Sequence, residues 1–333
     1  MKRILTGITT SGTPHLGNYV GAIRPAIESI KADTGAEHYF FLADLHALIK
    51  SHDPQRLQES TLEIAATWLA LGLDPSATFF YRQSDVPEIS ELNWFLSCLA
   101  AKGLMNRAHA YKAQSADNIE RGEDADFGIS MGLYSYPVLM SADILLFNAT
   151  HVPVGKDQIQ HIEMARDIAG RFNHHYGETF TLPSACVDEK VAVLSGQDGR
   201  KMSKSYDNTI PLFLPEKQLK KAINKIKTNL LEPGEPKDPD SATVFQIYQA
   251  FASKAESDAF ASALREGLAW GESKRQLFEL INSEIGHARE RYYQLLEKPD
   301  DIYQQLTDGA SRVRQKTQDF IRLIKERTGI RQF

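Results

Sequence analysis

RILTGITTSGTPHLGNYVGAIRPAIESIKA, residues 3–32, decides the architecture. RILTGI, residues 3–8, is a short apolar run and reads as a buried strand. TTSGTPHLGN is dense in turn formers, and NYVGAIRPAIESIKA then reads as a helix in spite of Pro25. Strand, polar loop, helix is the opening of a βαβ unit, and the alternation continues down the chain. EHYFFLADLHALI, residues 37–49, is a second apolar strand running into a loop. DPQRLQESTLEIAATWLALGLDP, residues 53–75, is a helix with Asp53 as cap, Pro54 at the first position and Gly72 near the end. SATFFYRQS, residues 76–84, reads as a third strand by its aromatic content. HVPVG, residues 151–155, is a short strand before a helix over about 157–172, and VAVLSG, residues 191–196, is a last strand. Alternating strands and helices predict a parallel sheet covered on both faces.

Beyond Pro211 the pattern changes. KQLKKAINKIKTNLL, DSATVFQIYQAFA, SKRQLFELINSEIGHARERYYQLL and SRVRQKTQDFIRLIKERTG are all helical in period, with EPGEPKDPDS as a surface loop. The expected fold is therefore α/β, a doubly wound parallel Rossmann-like sheet over 1–212, followed by an all-helical C-terminal domain over 213–333.

The 333 residues are 42% hydrophobic and 24% charged, ordinary for a globular protein with a proper core. No run of about eighteen apolar residues suggests a membrane span, and the basic start meets Gly7 too early for a signal peptide. Cys98 and Cys186 stand far apart without a CxxC or Cys/His cluster, so no structural zinc is expected and a reducing cytoplasm is the default. Net charge is −5, yet from Leu214 onward there are 20 Lys+Arg against 18 Asp+Glu. That part could meet a polyanion; random variation explains the count as well.

GxGxxG and GxxxxGK[ST] are both missing. In their place SGTPHLGN puts His15, Gly17 and Asn18 at a loop-to-helix junction, where free N–H groups favour an anion by ~0.3–1 kcal/mol. His15 can donate to a phosphate and Gly17 lets a flat group approach the backbone; a plain helix start with a surface histidine fits equally. Far along the chain comes RKMSKSYDN, residues 200–208, with Lys201 and Lys204 three apart among hydroxyls, and Gly196 and Gly199 just before. Met202 is its one apolar residue, so this stretch is not expected to pack a core. Taken alone it is a solvated loop; paired with HLGN it becomes a candidate polyphosphate clamp.

HLGN at the first strand–helix junction and KMSKS after the last strand resemble the two signature motifs of class I aminoacyl-tRNA synthetases, with Asn18 in the final place of the first. GITTSGTPHLGNYVGAIR, YPVLMSADILLFN (136–148) and VPVGKDQIQHIEMARDIAGRFN (152–173) resemble the tryptophanyl-tRNA synthetases of bacterial type. The resemblance covers the catalytic part nearly end to end and the helical part more weakly.

It implies a site. With YPVLMSAD as a helix and Pro137 in its first turn, Tyr136, Met140 and Asp143 share one face. A buried lone carboxylate needs a partner: either Asp143 pairs within the protein, or it accepts from the indole N–H, which the resemblance favours. By the same likeness Leu5, Gly7, Val152 and Val154 line the slot, Tyr136 and Gln158 hold the ammonium group, and His46 sits near the mouth unless it is purely structural. For ATP the resemblance implies Thr9, Thr10, Ser11, Gly17, Asn18, Gly155, Lys156, Asp157, Lys201, Met202, Ser203, Lys204 and Ser205, with His15, Asn18, Lys201 and Lys204 catalytic. The chain departs from the family at Thr9, where glutamine is common, and at Lys156, often acidic, which puts its side-chain contact in question. Mg²⁺ would be held mainly by ATP phosphates and not by a protein ligand set.

The reaction so implied is ATP activation of tryptophan, then transfer to the 3′ end of tRNA(Trp). The substrate carboxylate attacks the α-phosphate, and the protein positions the reactants and neutralises charge. The lysine loop, hinged at Gly196 and Gly199, would close over the phosphates and reopen to release pyrophosphate. The helical domain would read the anticodon, with Arg312, Arg314, Lys316, Arg322, Lys325 and Arg327 on its last helix, although for any single one of these a solvated amphipathic helix is the simpler reading. A homodimer contact is expected over 82–111, and ADNIERGEDADFG (116–128) as a mobile loop. The rival expectations are a tyrosyl-tRNA synthetase, a catalytically silent RNA- or tryptophan-binding paralogue, and a small-molecule nucleotidyltransferase.

Overall fold

Alternation along the second strand sets the layers. In β2 (Glu37–Ala43), Phe40 and Leu42 join one apolar cluster with Trp68, while Tyr39, Phe41 and Ala43 join another with Val138 and Ile144 on the opposite face. A strand apolar on both faces lies inside a sheet covered on both sides. The structure is a computed structural model that describes residues 1–10, 12–187 and 194–330. Five parallel strands, β1 (Arg3–Thr9), β2, β3 (Phe79–Arg82), β4 (His151–Pro153) and β5 (Ser184–Cys186), run in the order β3-β2-β1-β4-β5. The register pairs Arg3 with Glu37 and Tyr39 with Phe79, while Ile4 sits beside His151 and His151 beside Ser184. The order reverses between β1 and β4, which opens a crevice at the carboxyl ends of those strands.

The fold class expected from the sequence is met, and several elements differ. The helix expected over 18–32 is three pieces: a turn Leu16–Asn18, a π-helical stretch Tyr19–Ile23 and an α-helix Arg24–Ala32. Pro25 has no N–H to give the preceding turn, which favours the wider winding. Residues 191–193 of the expected last strand lie outside the described residues. Ser195 makes only an isolated bridge to Lys201, and the edge strand is β5, a three-residue run too short to show periodicity. Pro137 is not in the first turn of its helix: Met131–Leu145 starts at the Ser130 cap, leaving the proline inside. The 116–128 piece is not a loose loop. The His109–Glu120 helix takes its first part, and Asn118, 1% exposed, donates to the carbonyls of Ala125 and Phe127.

In the C-terminal part, Glu216–Asn224 is shorter than expected, and the Lys274 ammonium caps its end by donating to the carbonyl of Asn224. Lys254–Arg265 is a further helix, opened by a Ser253–Glu256 capping box that the sequence pattern had not suggested. The last helix, Pro299–Arg327, returns to the sheet and covers the free edge of β3. Gly309 makes that possible: a Cβ there would stand 1.8 Å from the Phe80 carbonyl oxygen. The expectation that its basic residues face a nucleic acid is corrected for most of them. Arg312 donates to the carbonyls of Pro75 and Thr78, Arg314 pairs with Glu88, Lys316 with Glu37 and Lys325 with Glu91. Arg327 donates to the Glu178 carbonyl and Arg322 pairs with Asp319 of its own helix. Apart from Arg322, these cations hold the helix on the α/β layer.

Candidate active site

The crevice between β1 and β4 is a cleft of about 640 Å³. Its walls bring together the two motifs that the sequence separates by almost the whole α/β layer. Gly7, Thr9, His15, Gly17 and Asn18 come from the first junction, and Gln158 opens the helix after β4. Lys201, Met202, Ser203 and Lys204 come from the lysine loop. Backbone pairing explains the meeting. Leu16 donates to the Ile210 carbonyl at 2.9 Å and Leu212 donates to the Pro14 carbonyl at 3.0 Å, so the exit of the loop is laced to the first junction.

His15 caps the turn that follows it. Its Nδ1 accepts from the Asn18 amide at 3.3 Å, and Asn18 Oδ1 accepts from the His15 amide at 3.0 Å. With Nδ1 accepting, the neutral ring carries its proton on Nε2, which stays a donor. Burial and then the Lys204 charge push the His15 ring down to about 4, so near neutral pH it is an uncharged donor. Gly17 has a reason the sequence did not show: a Cβ would stand 3.0 Å from the His15 ring.

The lysine loop is a tight hairpin. Gly196 donates to Arg200, Gly199 to Gly196 and Met202 to Leu194. Asn208, 2% exposed, closes it: Oδ1 accepts from the Ser203 amide at 2.8 Å, and Nδ2 donates to Asp198 at 2.7 Å and to the Lys201 carbonyl at 3.1 Å. That amide and then Arg200 hold the Asp198 carboxyl down to about 2. A Cβ on Gly196 would fall 2.3 Å from Asn208 Nδ2, so Gly196 is required for packing, whereas Gly199 has φ +85°. Met202 corrects an expectation: it is 4% exposed and packs with Leu16 and Ile8 in the core, anchoring the hairpin. Ser205 meets Ser203 hydroxyl to hydroxyl.

Thr10, Gly155, Lys156, Asp157 and Ser205, also expected at ATP, are not among the residues lining this cleft. Thr10 is 2% exposed and its hydroxyl has no hydrogen-bond partner among the described residues. Ser11 lies outside the described residues. Gly155 precedes a 3-10 turn, Lys156–Gln158, that exposes Lys156 and Asp157.

Gly7 and Gln158 of the expected amino-acid slot line this cleft, and its other residues do not. Asp143 is 1% exposed, with Oδ2 2.9 Å from His46 Nε2 and Oδ1 accepting from Gln83 Nε2 at 2.8 Å. Both alternatives for this carboxylate thus bear on one geometry: it pairs within the protein, and it keeps lone pairs for one more donor. Burial pushes its carboxyl up, and the His46 and Gln83 contacts partly offset this. Tyr136 is 2.6 Å from His161 Nε2 through its hydroxyl and meets the His46 ring edge-on. Leu5, Val152, Met140 and Val154 belong to the apolar cluster beside it. A Cβ on Gly7 would collide with the Phe41 ring at 2.9 Å. Gln83, His161 and Tyr81, whose buried hydroxyl has no partner among the described residues, were missed. So were Ile64 and Trp68, which line the cleft from the Pro54–Ala70 helix. Each reads in sequence as ordinary strand or helix interior.

Residues 1–285 match the family profile described as tRNA synthetases class I (W and Y). A tryptophan–tRNA ligase of Pseudomonas aeruginosa is 60% identical over 332 residues, 99% of this chain and 74% of that protein. One of Neisseria meningitidis is 57% identical over 331 residues, 99% of this chain and 98% of that one. The crystal structure of the Campylobacter jejuni tryptophanyl-tRNA synthetase complexed with ADP and tryptophan superimposes with a TM-score of 0.89 at 44% identity. It covers 98% of this chain and 99% of that one.

Proposed function

The chain belongs to the class I tRNA synthetases of the W and Y family, and from that premise we infer that it is a tryptophan–tRNA ligase. It activates tryptophan with ATP and transfers it to tRNA(Trp). The observation that carries the reading is the meeting of HLGN and KMSKS in one cleft at the sheet's switch point, with a buried acid behind it.

In this reading the adenosine part lies along Thr9, Gly17 and Gln158, and the triphosphate extends between His15 and the hairpin. His15 gives a neutral Nε2–H to a phosphate oxygen; Lys201 and Lys204 neutralise the charge that develops as pyrophosphate leaves. Ser203 and backbone amides add donors. The tryptophan carboxylate attacks the α-phosphorus in line, so no side chain acts as nucleophile. Asp143 accepts the indole N–H in an apolar slot and orders the ring; Tyr136 and Gln158 face the ammonium group. A phenol both donates and accepts through its oxygen, whereas the indole N–H only donates, so a slot for tyrosine would want a further donor beside the carboxylate.

Mg²⁺ enters with the nucleotide. No group of three or more His, Cys, Asp or Glu among the described residues is placed to hold a metal, and the phosphate end of the cleft is lined by cations. Such surroundings suit a metal carried by phosphates, where it would screen their charge. Helices of 213–298 read the tRNA anticodon, since the final helix is committed to the sheet. The protein works as a homodimer through 82–111, where Trp94 is 70% exposed, and it works in the cytoplasm. Among the described residues no helix is long and apolar enough to cross a membrane.

The test is amino-acid-dependent exchange of pyrophosphate into ATP, followed by charging of tRNA(Trp). Exchange with tryptophan and none with tyrosine is expected. Exchange driven by tyrosine alone would refute the reading.

A further inference from the structure

We propose that Arg56 is a third cation of the triphosphate subsite and that Glu63 is its releasable partner. The proposal rests on the functional reading above for the identity of the ligand. Arg56 stands in the first turn of the Pro54–Ala70 helix, where its amide donates to the Asp53 cap. That places its guanidinium over the loop before HLGN. The only hydrogen bond it makes there among the described residues is from Nη2 to the Thr13 hydroxyl, at 3.3 Å. Its carboxylate neighbours stand farther off, Glu59 at 3.7 Å and Glu63 at 3.9 Å. A strong guanidinium–carboxylate bond is about 2.7–2.9 Å, so the five N–H donors of Arg56 are mostly available. Glu63 is meanwhile held by the Thr13 hydroxyl at 2.8 Å.

Gly12 shows what the guanidinium faces. A Cβ built there would meet Lys204 Nζ at 2.9 Å and Arg56 Nη2 at 3.5 Å, so both cations converge on one point, and Gly12 lines the nucleotide cleft. Two like charges converging beside a phosphate site raise the local positive potential, which an incoming polyanion relieves. The Lys204 ammonium reflects this: desolvation, then Arg56, draws it below the ordinary lysine value, while Glu63 acts the other way. When the terminal phosphates arrive, the guanidinium exchanges its loose contacts to Thr13 and Glu63 for the phosphate oxygens. Those terminal phosphates are absent from AMP, which gives the residue a selective readout.

The experiment is calorimetric titration of the full chain with MgATP, with AMP and with tryptophan, alongside pyrophosphate exchange. R56A is expected to weaken ATP about tenfold or more, as for loss of a charged hydrogen bond, while AMP and tryptophan stay within roughly twofold. R56K, which keeps the charge and loses the fork, falls between. E63Q removes the competing carboxylate and tightens ATP roughly two- to threefold, the size of a loose surface pair. This opposition of sign separates the proposal from a merely structural ion pair, whose two halves would weaken binding together. ATP affinity unchanged in R56A, an equal loss for AMP, or weaker ATP in E63Q overturns it. If R56A does not fold, R56K and E63Q decide by the same signs. Binding is read without turnover: if the wild type exchanges no pyrophosphate with tryptophan while this ATP-over-AMP pattern holds, the functional reading fails and Arg56 keeps its role.

Discussion

Leu212 donates its amide to the Pro14 carbonyl at 3.0 Å, tying the exit of the lysine hairpin to the loop that precedes HLGN. Met202 is buried as a second anchor, and Lys204 stands at the exposed tip. Asn208 then sets the tip's shape, through bonds to Ser203, Asp198 and Lys201. N208A should lower kcat for exchange about tenfold, because buried partners left unpaired cost ~1–3 kcal/mol. Tryptophan affinity should stay unchanged and proteolysis between 196 and 208 should quicken. Wild-type exchange in N208A would show that the hairpin holds its shape without this side chain.

The last helix makes a different demand. Phe80's carbonyl oxygen would be 1.8 Å from a Cβ at Gly309, and backbone on both sides leaves no side chain to swing away. G309A must lift the helix off β3 and strain the Arg312 and Arg314 contacts. We expect a loss of about 3 kcal/mol or more, at the upper end for overpacking, read as a lower urea midpoint. Unchanged unfolding would mean that helix and strand are not in close contact.

The βαβ rhythm and the HLGN and KMSKS motifs were legible because they are local: periodicity, turn residues and spacing lie within short windows. Legible too was Asp143, an acid on an apolar helix face. Its partner Gln83 was not, since a glutamine ending a strand carries no local sign that it will turn inward. β5 was missed because three residues show no alternation. The basic face of the final helix was misread for a related reason: Glu37, Glu88 and Glu91, which neutralise it, lie more than two hundred residues away in sequence. Charge patterns tell which residues need partners, and only the fold tells whether the partner is in the same chain.

His15 fixes a pH signature. Its folded value of about 4 lies below the ordinary histidine value, so the unfolded chain takes up a proton that the native state does not. The stability it contributes is complete above about pH 6.5 and is lost as pH falls from there toward 4. The His15 C2–H resonance should titrate near 4, and H15N should flatten the decline in stability across that window. A midpoint near the ordinary value would put the ring in solvent and undo its role as a neutral donor.

Gln83 gives the sharpest test of the amino-acid slot. It donates to one oxygen of Asp143 while His46 holds the other, and both contacts draw down a carboxyl that burial has raised. Q83L removes one of them without opening the pocket to water, so the carboxyl rises further. The ionised form is the one that accepts the indole N–H, and a raised value means that form is lost sooner as pH falls. Tryptophan KM in Q83L should therefore be higher by about tenfold near neutrality, as for a lost bond to a charged group. It should also begin to climb at a higher pH than in the wild type, with KM for ATP unaffected. D143N, which cannot titrate, should show a high KM with no such climb. If Q83L and wild type follow the same pH curve, the carboxylate is not what grips the ring, and the selectivity argued from it must come from the apolar walls.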